Sequence, residues 1–242
     1  MRWGRLGHLA GAALLCAATA CPAAGDIRPQ PRPAAEPIPA ARWDHRAESE
    51  RWSRAVLHAL DTHGKRLIEE TPRDADEWCP GYADADRPQR RAFWVGFLSA
   101  LAKHESTWKP KAVGGDGRWY GLLQILPATA RGYGCRAGSG AELKSGAANL
   151  ACAVRIMART VPRDGVIDAR SPRWSGVAAD WGPLRSELKK ADMIGWLRGQ
   201  DYCTIAASPR PRLRPETQIV EGPRPASRPM RLAINEAAGD PT

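Results

Sequence analysis

The aromatic residues of this 242-residue chain are gathered almost wholly in its middle, and that limits where a core can form. The stretches 22–41 and 206–242 are rich in Pro, Ala and Arg and poor in aromatics. Neither can bury enough apolar surface to offset the entropy of ordering. Residues 42–205 hold nearly all the Trp and Tyr, both Phe and the hydrophobic periodicity. The expected organisation is one folded domain over 42–205, a Pro/Ala/Arg-rich linker over 21–41, and a disordered Pro/Arg-rich tail over 206–242. The length leaves little room for a second independent core.

Residues 1–20 read as a secretory signal. Met1-Arg2-Trp3-Gly4-Arg5 is a positive start, and Leu9 to Ala20 is an apolar run too short to span a bilayer. Ala18-Thr19-Ala20-Cys21 fits two outcomes: plain cleavage after a small-x-small triplet, or a degenerate lipobox that leaves Cys21 lipid-modified. The chain is therefore expected to be exported and periplasmic, anchored at a membrane only if Cys21 is acylated.

Export changes how the remaining cysteines are read. Cys79, Cys135, Cys152 and Cys203 suggest two disulfides, for which three connectivities exist. We favour Cys135–Cys152, which closes a local loop, and Cys79–Cys203, which joins the domain's ends. No CxxC pair or His cluster favours a metal site, so neither metal nor cofactor is expected. The formal net charge is +10, and 42–205 alone holds 26 Lys/Arg against 20 Asp/Glu. Such an excess favours anionic partners or a solvated basic surface. No nucleic-acid-binding motif accompanies it, and no nucleic-acid partner is expected.

Helical spacing of Trp52, Val56, Leu57, Leu60 and Leu67-Ile68 predicts one long helix or two between Glu48 and Glu70. Pro88 suits the first turn of a helix running from about Gln89 to Ser106. Its stripe comprises Trp94, Phe97, Leu98, Leu101 and Glu105. Lys111 to Leu126, with Gly114-Gly115-Asp116-Gly117, reads as a turn or short hairpin. Short helices are expected over Pro127–Tyr133 and Ala147–Thr160, the latter burying Leu150, Val154 and Met157. Two last helical pieces are expected over Gly176–Trp181 and Ser186–Leu197. The expected class is α+β and mainly α, with a small β or irregular insertion after the second helix.

Glu105 is the anomaly in this pattern. A carboxylate on an apolar stripe is costly unless paired or protonated, and the end of a helix disfavours negative charge. Both effects push a carboxyl pKa upward, as a general acid near neutral pH requires. A buried structural partner would explain the same position.

His104-Glu105-Ser106-Thr107-Trp108, followed by Trp119-Tyr120-Gly121-Leu122-Leu123-Gln124-Ile125 and then by Asn149-Leu150, resembles the soluble lytic transglycosylase (SLT) domain family and its goose-type lysozyme relatives. The resemblance covers about 93–160. It implies a lysozyme-like fold and cleavage of peptidoglycan strands between N-acetylmuramic acid and N-acetylglucosamine. Glu105 would act first as acid and then as base, giving 1,6-anhydro ends. By the same resemblance Ser106 and Gln124 would bond the sugar, Tyr120 would orient Glu105 or the glycan, and Gly121 would let the backbone approach the sugar. Each also has a local alternative as cap, turn or packing residue.

The family's late Ala-Tyr-Asn triplet is missing, and Val177-Ala178-Ala179-Asp180-Trp181-Gly182-Pro183 stands in that region. Trp181 could stack on a sugar or belong to the core. Asp180 or Asp116 would favour a hydrolytic muramidase if either faced Glu105 across the cleft. A non-catalytic peptidoglycan-binding protein of the same fold is the remaining alternative. His104 is expected to be exposed, and the chain to act as a monomer.

Overall fold

The structure is a computed structural model that describes residues 36–204. The signal reading of 1–20, the lipidation candidate Cys21 and the 206–242 tail lie outside the described residues. The described residues from Ile38 onward belong to one compact unit.

Nine helices and two small hairpins are found among the described residues, so the class is mainly α. The first predicted helix is two: α1 (Ser49–Asp61) and α2 (Lys65–Glu69). The chain breaks at Gly64, whose N–H returns to the Ala59 carbonyl at 2.8 Å. A side chain at Gly64 would collide with Val154. α3 (Ala75–Trp78) follows.

α4 (Arg87–Ser106) is the central helix. Asp86 and Gln89 form a reciprocal capping box at its start, and Pro88 sits in its first turn. Apolar residues on its predicted stripe are fully buried, but so are Phe93, Val95, Ala100 and Ala102. The helix is thus enclosed on all sides over its middle, as befits the core of the domain.

The Lys111–Leu126 segment forms the expected hairpin, with β1 (Val113–Gly114) antiparallel to β2 (Trp119–Tyr120). α5 (Pro127–Gly132), α6 (Gly140–Leu143) and the long α7 (Gly146–Asp164) follow. α7 buries Leu150, Val154 and Met157 as expected, and runs one turn further, past Pro162 to a left-handed cap at Gly165. Proline there sacrifices a single helix hydrogen bond.

Gly176 to Trp181 departs from expectation. Gly176 closes a second hairpin, β3 (Asp168–Ala169) with β4 (Ser175–Gly176), and only a single 3-10 turn follows over Val177–Ala179. The positive φ of Gly176 (63°) and the proline at 183 prevent a continuous helix. A second 3-10 turn, Gly182–Arg185, leads into α8 (Glu187–Arg198), and α9 (Asp201–Thr204) ends the described chain. Both expected disulfides form: Cys79–Cys203 joins the end of α3 to α9, and Cys135–Cys152 ties the segment after α5 to α7.

Candidate active site

α4 ends abruptly. Thr107 and Trp108 both adopt positive φ (51° and 53°), conformations costly for residues with side chains. The Trp108 indole N–H donates to the Ser99 carbonyl at 2.9 Å, and its ring meets His45 edge-on, which holds the chain in this turn. Glu105 therefore sits in the last helical turn, beside a sharp change of direction.

Its carboxyl has no hydrogen-bond partner among the described residues. Burial pushes its pKa up to about 7, with the Lys189 ammonium opposing the shift. The alternative of a buried structural partner is thereby disfavoured. The carboxyl faces a cavity of about 600 Å³.

One wall of that cavity is the 119–125 segment. Asn149, from the first turns of α7, holds it in place: its Oδ1 accepts from the Leu123 N–H at 2.9 Å. Its Nδ2 donates to the Tyr120 carbonyl at 2.9 Å and the Leu143 carbonyl at 3.0 Å. Gly121, at φ 82°, lies so close to Asn149 and the Leu143 carbonyl that no side chain would fit. Gln124, also at positive φ, lines the cavity and donates its side-chain N–H to the Gly121 carbonyl at 2.9 Å. Trp119 is 42% exposed and stands at the cavity's edge, its ring over Gly115.

The opposite wall comes from 180–189. Asp180, Trp181, Gly182, Pro183, Arg185 and Lys189 all line the cavity. Asp180 is accessible from solvent, yet enough protein surrounds its carboxyl to raise its pKa, against the pull of Arg163. A smaller hollow of about 110 Å³, reaching Ile125, Leu126 and Thr129, shares Trp119, Asp180 and Trp181. Together they form an elongated cleft.

α4 and α8 are fastened beside this cleft by Asp192. Its carboxylate receives the Arg42 guanidinium at 2.7 and 2.9 Å and the Lys103 ammonium at 3.0 Å. His104 Nε2 lies 2.7 Å from the same group. The Arg42 guanidinium above all holds the Asp192 carboxyl well below the usual carboxylate range. His104 is thus half-buried and engaged, not exposed as its helix position suggested; α8 covers the face that an isolated helix would leave in water.

Several residues expected at the substrate bond the protein's own backbone. Ser106 is buried and donates to the Leu122 carbonyl at 2.8 Å, so it splices α4 to the 119–125 segment instead of facing the cavity. The Tyr120 hydroxyl donates to the Gly117 carbonyl at 2.6 Å, and its ring packs on Gly140, away from the cavity lining. Gly121 is needed for its close approach to Asn149 and the Leu143 carbonyl. Trp181 is only 4% exposed and donates to the Leu123 carbonyl at 3.0 Å; it is a core residue with one surface on the cavity.

Glu105, Gln124 and, by one surface, Trp181 are the expected site residues that the cavity brings together. Asp180 joins them, whereas Asp116 does not line the cavity. Trp119, Arg185 and Lys189 were not singled out from sequence. Trp119 carried a signal, being an aromatic at the end of a Gly-rich turn, while the two cations carried none. Among the described residues no group of three or more His, Cys, Asp and Glu is placed to hold a metal ion.

Residues 85–166 match the family model described as "Transglycosylase SLT domain". Solved structures of Bd0314 DslA superpose on the chain with 29% identity, covering 69% of this chain and 99% of that one. The TM-score is 0.64 for a wild-type form and for one glutamate-to-glutamine mutant, and 0.62 for a second such mutant. No curated protein matches the chain in sequence.

Proposed function

We propose, from the match of residues 85–166 to the transglycosylase SLT domain model and from the mainly helical, lysozyme-like fold, that the chain cleaves peptidoglycan glycan strands by lytic transglycosylation, with Glu105 as acid and base. The observation that carries this reading is an unpartnered carboxyl with its pKa raised to about 7, open to a large polar and aromatic cleft. At neutral pH such a group is present in both forms, as a residue that first gives and then takes a proton requires.

Protonated Glu105 donates to the oxygen between N-acetylmuramic acid and N-acetylglucosamine as the C1–O bond breaks. The sugar's own N-acetyl group assists at C1. The Glu105 carboxylate then takes the proton of the muramyl C6 hydroxyl, whose oxygen closes the 1,6-anhydro ring. No water is consumed. Trp119 offers an exposed ring for a sugar face, and Gln124 a carbonyl oxygen for a sugar hydroxyl or N-acetyl N–H.

Asp180 favours a second reading, hydrolysis. A carboxylate in the same cleft could take a proton from water as that water attacks C1, in the manner of two-carboxylate glycosidases. Digestion in ¹⁸O-water separates the two. Transglycosylation gives unlabelled anhydro ends, and hydrolysis gives reducing ends that carry the label. A Glu105→Gln variant that still cuts would overturn both readings. Binding without cutting by the wild-type chain would favour a non-catalytic peptidoglycan-binding protein.

We place the enzyme in an exported, periplasmic setting. The basic and apolar start of the sequence and two disulfides in a small domain support this location. Labelling with a radioactive fatty acid tests acylation of Cys21 and, with it, membrane anchoring.

A further inference from the structure

In the 180–189 wall, Arg185 and Lys189 have no carboxylate at ion-pair distance among the described residues. Among the described residues each acid of α8 is engaged: Glu187 faces Lys190 at 3.5 Å, and Asp192 is shared by Arg42, Lys103 and His104. Lys190 is also held by Asp168 at 3.1 Å. Among the described residues Lys189 has no ion pair or hydrogen bond.

Arg185 is fixed without a carboxylate. Its Nε and Nη2 donate to the carbonyls of Ala178 and Ala179, both at 2.8 Å, which leaves Nη1 without an acceptor among the described residues. Asp180 and Arg185 attract one another, but not at ion-pair distance. Both cations line the Glu105 cavity, and Lys189 is near enough to act on the Glu105 carboxyl. An oriented guanidinium beside a free ammonium suits a carboxylate ligand.

The glycan strand supplies such groups. In peptidoglycan the stem peptide hangs from the lactyl ether on C3 of the muramyl ring, the same ring whose C1 is attacked. The stem therefore starts within one ring's width of Glu105, and it bears free carboxylates. We propose that Arg185 and Lys189 form a subsite for the stem-peptide carboxylates, so that the cleft takes peptide-bearing strands in preference to bare ones. This assignment rests on the glycan-strand reading above. It makes the wall that lacks the family's triplet the place where substrates are told apart.

The test uses the full chain carrying Glu105→Gln, which permits binding to be measured without turnover. Three probes are compared: peptide-bearing glycan strands, the same strands stripped of peptide, and strands whose stem carboxylates have been converted to amides. The expected result is about five- to tenfold tighter binding of the first than of the other two, as for one or two exposed ion pairs. Lys189→Glu, at an exposed position without protein partners, should abolish that ratio, and added salt should reduce it. Equal binding of all three probes would overturn the subsite while leaving the glycan reading intact. Failure to bind any of them would overturn both.

Discussion

The two walls of the cleft are built on different principles. In the 119–125 wall nearly every polar group is spent on the protein's own backbone. Asn149 makes three hydrogen bonds to it, Ser106 donates to Leu122, and Trp181 donates to Leu123. In the 180–189 wall the chain passes through one 3-10 turn, Gly182–Arg185, and Asp180, Arg185 and Lys189 direct charge into the cavity. The first wall fixes where Glu105 and Gln124 stand, and the second supplies charges that a ligand can meet. A recognisable motif can therefore mark a scaffold more than a contact surface.

The largest effect should come from the group both walls serve. Glu105→Gln should lower the turnover of glycan strands by about 10³-fold, with the fold intact by circular dichroism. If a comparable loss followed from Asp180→Asn while Glu105→Gln remained active, the chemistry would belong to the second wall and the contrast would fail.

Next in size is the scaffold itself. Asn149→Ala leaves the Leu123 N–H and two backbone carbonyls without their partner in a buried place, which should cost about 3 kcal/mol of stability. Lys189→Met, at an exposed position, should cost less than about 0.5 kcal/mol. Urea unfolding of the two variants measures the contrast directly. Equal costs would mean that the walls are not built differently after all.

This division also decides what could be read from the sequence. The long helices α4 and α7 were legible above all, because burial of Trp94, Phe97, Leu150 and Val154 outweighs any local preference. Of three possible connectivities, the favoured one, closing a near loop and joining the ends, is the one that forms. Glu105 stood out because a carboxylate on an apolar stripe violates the pattern around it. The roles of Ser106, Tyr120 and Gly121 were not legible. A hydroxyl or glycine beside a catalytic group looks the same in sequence whether it faces the ligand or a carbonyl behind it. His104 was misjudged for a similar reason, since only the packing of α8 onto α4 brings Asp192 to it. Arg185 and Lys189 are ordinary surface cations until the turn at Gly182–Arg185 aims them at the cleft.

A further contrast concerns pH. Glu105 holds its proton in the folded state up to about 7, whereas in the unfolded chain it releases it near 4.5. The native state thus binds more protons across that window, and rising pH destabilises it. Glu105→Gln should therefore match the wild type in stability below about pH 4.5 and exceed it above about pH 7. The gain should be about 2 kcal/mol, less than the full shift implies because the carboxyl opens onto the cavity. Thermal melts at pH 4 and pH 8 test this; a gain of equal size at both would mean that the carboxyl is not strained by burial.

The smallest effect links the two walls. Glu105 must be protonated to begin the reaction, so kcat/KM should fall as pH rises through about 7. Lys189 favours the ionised form, and burial opposes it. Removing that charge with Lys189→Met should raise the Glu105 pKa and move the falling limb to higher pH. His104, the neighbouring titratable group, is pushed down by its own burial, against the pull of Asp192. Peptide-free glycan is the substrate of choice here, because it separates the influence of Lys189 on Glu105 from any grip on stem carboxylates. A limb that stays in place would mean that solvent in the open cleft screens the pair, leaving the 180–189 wall to act on the ligand alone.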